Sequence, residues 1–405
     1  MENPLSVAVF GPLERFAARF ASSLIQQGYR RRSALIQIHL FAHLSAWLVD
    51  EGLEPGDLSE PDVQRFLAAR RRTGATRYVS EQAMRASLTY LRGEGVVRAP
   101  AGVAVSGPVE TTLEQYRQYL TRERGLEATT ARLYLHLVRP FVSSRVSPDG
   151  LCLEWALLRA ADVIGFVVAR TPQQSRGAAK LTVTALRSLL GFLHVDGRIA
   201  GPLTGAVPSV AGWRLAGLPK GLTPGEVQAL FASCDRRGRT GRRDFAVLTL
   251  LTRLGLRASE VAALRLDDIN WRTGTMVVRG KGRHVEQLPV PSDVGAAVVG
   301  YLRRGRPVTA MGRALFVRVK APHRALTAPG VSAIVGTAAQ RAGLGRLHAH
   351  RLRHTAAIEL LRAGAPLPEI GQVLRHCRAE TTALYAKVDR AGLRTIARPW
   401  PGGVA

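Results

Sequence analysis

The apolar positions in the first half of the chain recur at helical spacing. Leu13, Phe16, Phe20, Leu24 and Ile25 show this spacing, as do Leu35, Ile38, Phe41, Leu44 and Leu48. Strand-like runs are absent before roughly residue 270. Helical spacing continues through Pro224–Cys234 and Asp244–Leu254. Thr275–Arg279 and Val285–Val290 then read as two short strands joined by Gly280-Lys281-Gly282-Arg283-His284, and helices are expected to resume from Val331. The pattern predicts a mainly α protein with a small β-hairpin.

A repeat lies inside the helical half. Leu58-Ser59-Glu60-Pro61-Asp62-Val63-Gln64-Arg65-Phe66 is echoed 100 residues later by Leu158-Arg159-Ala160-Ala161-Asp162-Val163-Ile164-Gly165-Phe166, and the same offset relates Phe41 to Phe141. Amphipathic helices share a period by default. The common Asp-Val…Phe pattern, and a Gly after each last helix (Gly95 and Gly197), point instead to two related helical modules over residues 1–100 and 109–200. Residues 99–108 and 201–221, rich in Gly and Pro, are linker candidates. Thr223-Pro224-Gly225-Glu226 supplies an N-cap, a Pro at the first helical position and a Glu placed for a capping box. The last domain, mixed α+β, is therefore expected to span residues 222–405, with a partly extended tail after Ala386.

Charge narrows the function. Lys and Arg total 57 against 30 acidic residues, a net charge of +27. A GC-rich genome accounts for Arg over Lys but not for the deficit of acids, and a folded chain this basic usually has a polyanionic partner, most often nucleic acid. Cys152, Cys234 and Cys377 lie far apart with no metal-ligand spacing and no disulfide framework. No signal peptide is evident, and no run approaches the ~18 apolar residues of a membrane span. A cytoplasmic protein without a membrane partner is expected.

Four clusters in the last domain carry candidate chemistry. In Leu254-Gly255-Leu256-Arg257-Ala258-Ser259-Glu260, the glycine permits a sharp turn and sets Arg257 at a helix start, where a phosphate would meet backbone N–H groups and a guanidinium. Taken alone, Arg257 and Glu260 equally describe a surface ion pair. Lys281 sits at a glycine-flanked hairpin tip, where lysines are usually just solvated. In His348-Ala349-His350-Arg351-Leu352-Arg353-His354-Thr355, His350, Arg353 and His354 share a helix face. The two histidines have zinc-helix spacing, but no Glu follows the first and Arg353 between them repels a cation, so a metal site is discounted. Finally, Tyr385 follows His376 by nine residues at the end of this cationic set.

These clusters, in this order, resemble the tyrosine recombinases (phage integrase family) across residues 222–388. Arg257 matches the family's first arginine and Lys281 its hairpin lysine. His350 and Arg353 match the His-x-x-Arg box, His376 the third histidine position, and Tyr385 the nucleophile. One departure is Arg375, where a glycine often precedes the third histidine; another is the extra module at the N-terminus. The helical module over residues 109–200 resembles, more loosely, the family's core-binding domain, and residues 1–100 a second copy of that fold.

The resemblance implies strand cutting and rejoining through a 3′-phosphotyrosine. Arg257 and Arg353 would hold the nonbridging oxygens, with a hydrogen bond from His350. His350 is also the expected base, Lys281 the acid for the leaving 5′ oxygen, and His376 a phosphate ligand. Glu260 is expected to support the arginines rather than to touch substrate. No cofactor or metal is called for, in keeping with the lack of a carboxylate cluster suited to magnesium. The family analogy adds double-stranded DNA as partner, a homo-tetramer on two DNA sites, a possible role for an accessory recombinase, a nucleoid-associated location in a bacterium, and service to a mobile element. Two other readings stay open on the residues: a type IB topoisomerase-like enzyme, and a non-catalytic DNA-binding regulator that keeps the fold.

Overall fold

The computed structural model describes residues 7–98, 107–211, 220–280, 284–376 and 379–388. The chain divides into two compact units. One joins residues 1–98 with 217–405, and the other is 99–216.

Within the first unit, residues up to 98 form four helices: α1 (Glu14–Gln26), α2 (Arg31–Asp50), α3 (Glu60–Arg72) and α4 (Glu81–Gly93). The apolar faces read from the sequence meet in one core except at Ile25, which is 42% exposed. Leu13, Phe20, Leu24, Ile38, Phe41, Leu44 and Leu48 are all buried there, and the Phe20 and Phe41 rings lie 4.7 Å apart.

The second unit has its own core around α5 (Pro108–Gln118), α6 (Ala128–Ser143), α7 (Ala160–Arg170) and α8 (Arg176–Val195). The positions of the sequence repeat take matching places. Asp62 accepts from the Ser59 backbone N–H at the start of α3, and Asp162 from that of Arg159 at the start of α7, each at 2.9 Å. Phe41 and Phe141 are both buried. The two stretches expected as linkers are only partly so. Pro108 opens α5, where its missing N–H costs nothing. Leu203, Val207 and Val210, all apolar, pack into this unit's core. Residues 99–106 and 212–219 lie outside the described residues.

The rest of the first unit is built on α9 (Pro224–Ala232), α10 (Arg239–Arg253) and α11 (Ala258–Ala263), followed by β1 (Ile269–Asn270), β2 (Thr275–Arg279) and β3 (Val285–Pro289). Then come α12 (Ser292–Arg304), α13 (Ala328–Arg341), α14 (Ala349–Arg362), α15 (Leu367–Val373) and α16 (Ala379–Ala383), and a 3-10 turn, Leu384–Val388, closes the described chain. Thr223 caps α9 with the expected box, its hydroxyl accepting from the Glu226 N–H at 3.3 Å. The Leu222 N–H donates to Thr355 Oγ1 at 2.9 Å, which ties the start of this portion to α14. The antiparallel sheet has order β1-β2-β3, with Thr275 opposite Pro289 and Arg279 opposite Val285. Met276 and Val278 point into the core, so β2 shows the period-two burial of a half-buried strand.

Two elements escape the sequence pattern. β1 has only two residues, too few to show alternation. Helices resume at Ser292 rather than Val331: in α12, Gly295 and Gly300 and a run of Ala and Val blur the polar face, although Val294, Val298 and Tyr301 are buried at helical spacing. Among the described residues no helix is long and apolar enough to cross a membrane.

Candidate active site

Four backbone segments bring the candidate residues together. The first is the turn from α10 into α11. Gly255 adopts φ +57°, a left-handed conformation open to glycine at little cost, and a Cβ there would lie 2.5 Å from Leu374 Cδ2. Arg257 caps α11. Glu260 folds back on this cap: its carboxylate accepts from the Arg257 backbone N–H at 2.8 Å and from its guanidinium at 2.6 Å. The surface ion pair is excluded, since Glu260 is only 2% exposed.

The second segment is α14, whose inner face carries His350, Arg353 and His354. Arg353 is 1% exposed and donates to the carbonyl oxygens of Gly255, at 2.6 Å, and Leu374. Of its five donor hydrogens these bonds use two. Burial, and then the charges of Arg257 and Arg375, push its pKa down to about 10, which still leaves it protonated at neutral pH. His350 is held below the usual imidazole range by burial and by Arg353 and Arg257.

The third segment is the turn after α15. Arg375 takes φ +55°, one of two described non-glycine residues with positive φ. Its guanidinium is buried and donates to Glu260 at 2.9 Å, while its carbonyl accepts from Arg257 at 3.0 Å. Burial alone would raise the Glu260 pKa, but Arg375 and the bonds from Arg257 outweigh it and hold it below the usual carboxylate range. His376 pairs through Nδ1 with Thr382 Oγ1 at 2.8 Å, and is pushed down to about 4 by burial and by Arg353 and Arg257.

The fourth is the 3-10 turn carrying Tyr385, 1% exposed, whose ring lies parallel to His376 with centroids 6.4 Å apart. Burial raises its phenol pKa, and Arg353 draws it part of the way back. The imidazole hydrogen-bonded to this phenol is His354, Nδ1 to Oη 2.7 Å, and not His350, which the sequence favoured as base. The structure thus brings Arg257, Glu260, His350, Arg353, His376 and Tyr385 into one cluster, together with His354 and Arg375. Lys281 lies outside the described residues. Both added residues had a signal in the sequence: His354 shares a helix face with His350, and Arg375 stands where the family pattern often has glycine. Among the described residues no three His, Cys, Asp or Glu side chains group as metal ligands.

Comparison with known proteins gives the family of the chain. Residues 220–391 match the model of the phage integrase family. The chain is 39% identical over 397 residues to y4rA of Sinorhizobium fredii, an integrase/recombinase by name, covering 97% of this chain and 95% of that protein. It is 30% identical to the tyrosine recombinase XerC of a Roseiflexus species, over 71% of this chain and 93% of that one. Among solved structures, the XerH site-specific recombinase bound to its palindromic difH substrate superposes with a TM-score of 0.55 at 18% identity, over 84% of this chain and 94% of that chain. A lambda integrase dimer (residues 75–356) bound to a core site gives 0.54 at 16%, over 73% and 98%. On the strength of the y4rA and XerC matches, the chain belongs to the phage integrase family and is a tyrosine-type, site-specific DNA recombinase.

Proposed function

We propose that Tyr385 is the nucleophile and that Arg257, Arg353, His350 and His376 hold the scissile phosphate. The observation that carries this reading is one buried phenol set among three imidazoles and three guanidinium groups drawn from four separated segments. Such a pocket, if empty, is a costly concentration of like charge, and a phosphodiester relieves it. Tyr385 Oη bonds to phosphorus, the bond from phosphorus to the 5′ oxygen breaks, and Lys281 gives that oxygen a proton. The pentavalent transition state carries extra charge on two nonbridging oxygens, where arginine forks are worth most. The 3′-phosphotyrosine keeps the energy of the broken bond, so a second 5′ hydroxyl can displace the tyrosine without ATP.

The helical modules, residues 1–100 and 109–200, are proposed as core-binding DNA contacts, acting with the last domain through phosphates along the duplex. We extend the reading to a homo-tetramer on two sites in the bacterial cytoplasm, with or without an accessory recombinase, serving a mobile element. The 39% match to an integrase/recombinase across nearly the whole chain, extra module included, supports that last point.

The test is a metal-free incubation with nicked duplexes cut from the DNA flanking the gene, followed by denaturing electrophoresis. Wild type should form a covalent protein–DNA adduct and Tyr385→Phe none. An adduct undiminished in Tyr385→Phe would remove Tyr385 from its role. Footprinted binding without any adduct would favour the regulator reading.

A further inference from the structure

The reaction needs a destination for the phenol proton, and sequence resemblance offers none at His354. We propose that His354 Nδ1 accepts the Tyr385 proton as the phosphotyrosine bond forms, a catalytic role that rests on Tyr385 being the nucleophile.

Geometry comes first. Nδ1 lies 2.7 Å from Oη, within the reach of a general base. The ring is fixed on α14, one helical turn after His350, whose own ring sits edge-on at 4.5 Å. His354 and Tyr385 therefore meet before any substrate arrives, and Arg353 beside them is oriented by two carbonyls.

Protonation state comes second. The groups facing His354 are His350 and Arg353 on its own helix and Tyr385 from the 3-10 turn, with His376 against the far side of the phenol. None is anionic at neutral pH. Burial, with the charges of His350 and Arg353, pushes His354 down to about 4, so it is neutral and has one bare nitrogen. A phenol keeps its proton at neutral pH, so the bare nitrogen that fits is Nδ1, with the hydrogen on Nε2.

The transfer balances within the site. The Oη–H bond breaks as the Oη–P bond forms, Nδ1 takes the proton, and the leaving 5′ oxygen is protonated separately. On religation the imidazolium returns its proton to Tyr385. A phosphate in the pocket adds negative charge beside His354 and raises its proton affinity at the moment the proton moves.

The experiment has a DNA-free arm and a DNA arm. The first is nitrogen NMR of histidine-labelled full-length protein at neutral pH, with His354 assigned by comparison with His354→Gln. A bare Nδ1 that shifts in Tyr385→Phe is expected; a protonated Nδ1 overturns the proposal whatever the DNA does. The second arm measures the single-turnover rate of adduct formation on the nicked flanking duplexes. His354→Ala should be slower by roughly 10²-fold or more. Added imidazole should restore that variant in proportion to the unprotonated imidazole present, and should leave His354→Gln, whose side chain fills the space, slow. A His354→Gln rate equal to wild type overturns the proposal, because a carboxamide can orient the phenol but cannot take its proton. Failure of the nucleophile reading itself looks different: adducts then persist in Tyr385→Phe.

Discussion

Arg375 combines two costs that substitution can separate. Its backbone sits at φ +55°, which for a side chain bearing Cβ costs about 1–2 kcal/mol. Its guanidinium is one of two that pair with the buried Glu260. Arg375→Ala keeps the strained backbone and loses the pair. Glu260 would retain Arg257, through both its guanidinium and its backbone N–H. The loss is therefore nearer to one charged hydrogen bond, about 1.5–3 kcal/mol, than to the full ~3–5 kcal/mol of a stranded buried charge. Arg375→Gly loses the same pair but relieves the backbone. Glycine's extra freedom in the unfolded chain, about 0.4–1 kcal/mol, returns part of that gain. Glycine should thus be about 0.5–1 kcal/mol more stable than alanine, with both below wild type. Hydrogen exchange of α14 peptides across a urea series reads this order in the full chain, where one global transition cannot be assumed. Alanine equal to or above glycine would refute the strain argument. Both variants above wild type would show that burying the Arg375–Glu260 pair costs more than it returns.

Further outcomes follow from the same geometry. Gly255→Ala should destabilise by about 2–4 kcal/mol, from left-handed strain plus contact with the fully buried Leu374; a loss below about 1 kcal/mol in the same exchange assay would mean the turn adapts. Arg353→Lys should lose about 2 kcal/mol and nearly all adduct formation, because an ammonium cannot span the Gly255 and Leu374 carbonyls; wild-type adduct yield would show that point charge suffices. His354 and His376, both held down to about 4 from 6.5, are neutral in the folded state, so the unfolded chain binds more protons between those values. Their contribution to stability is complete above about pH 6.5 and lost as pH falls toward 4. Urea midpoints for exchange of the α14 peptides, measured from pH 4.5 to 7.5, should fall less steeply with acid in the His354→Gln, His376→Gln double variant, and an unchanged slope would contradict the assignment.

Much of the fold was legible in the chain because burial in helices leaves a period. Most positions of the faces from Leu13 to Leu48 were readable, Ile25 excepted, and the Thr223–Glu226 cap marked where the last domain begins. Where the period is diluted the reading failed: α12 carries its buried Val294, Val298 and Tyr301 among small residues that hide the polar face. The candidate site is a different kind of object. Arg257 and Tyr385 stand 128 residues apart, and no local pattern brings them together; only resemblance to a family did. Resemblance also has a blind side. It singled out His350 and passed over His354, which a 3.6-residue helix puts on the same face, one turn along, and which is hydrogen-bonded to Tyr385.

Arg375 shows how the departure from the family pattern is absorbed. A glycine in a left-handed turn leaves open space, whereas an arginine there must send its side chain somewhere. It turns inward to Glu260, the one buried carboxylate beside Arg257. The same turn presents the Leu374 and Arg375 carbonyls to Arg353 and Arg257, so both proposed phosphate ligands are held by the backbone that the left-handed residue shapes. Carbonyl acceptors are well suited to that task. They orient a guanidinium by dipole without neutralising it, so the positive potential remains for an incoming phosphate, while a carboxylate in their place would compete with it. Glu260 is such a competitor, but it is divided between two arginines and turned away by the Arg257 N–H. The added arginine thus restores, in a pocket with one more cation than the family pattern, the electrostatic balance that the single acid would otherwise set against Arg257 alone.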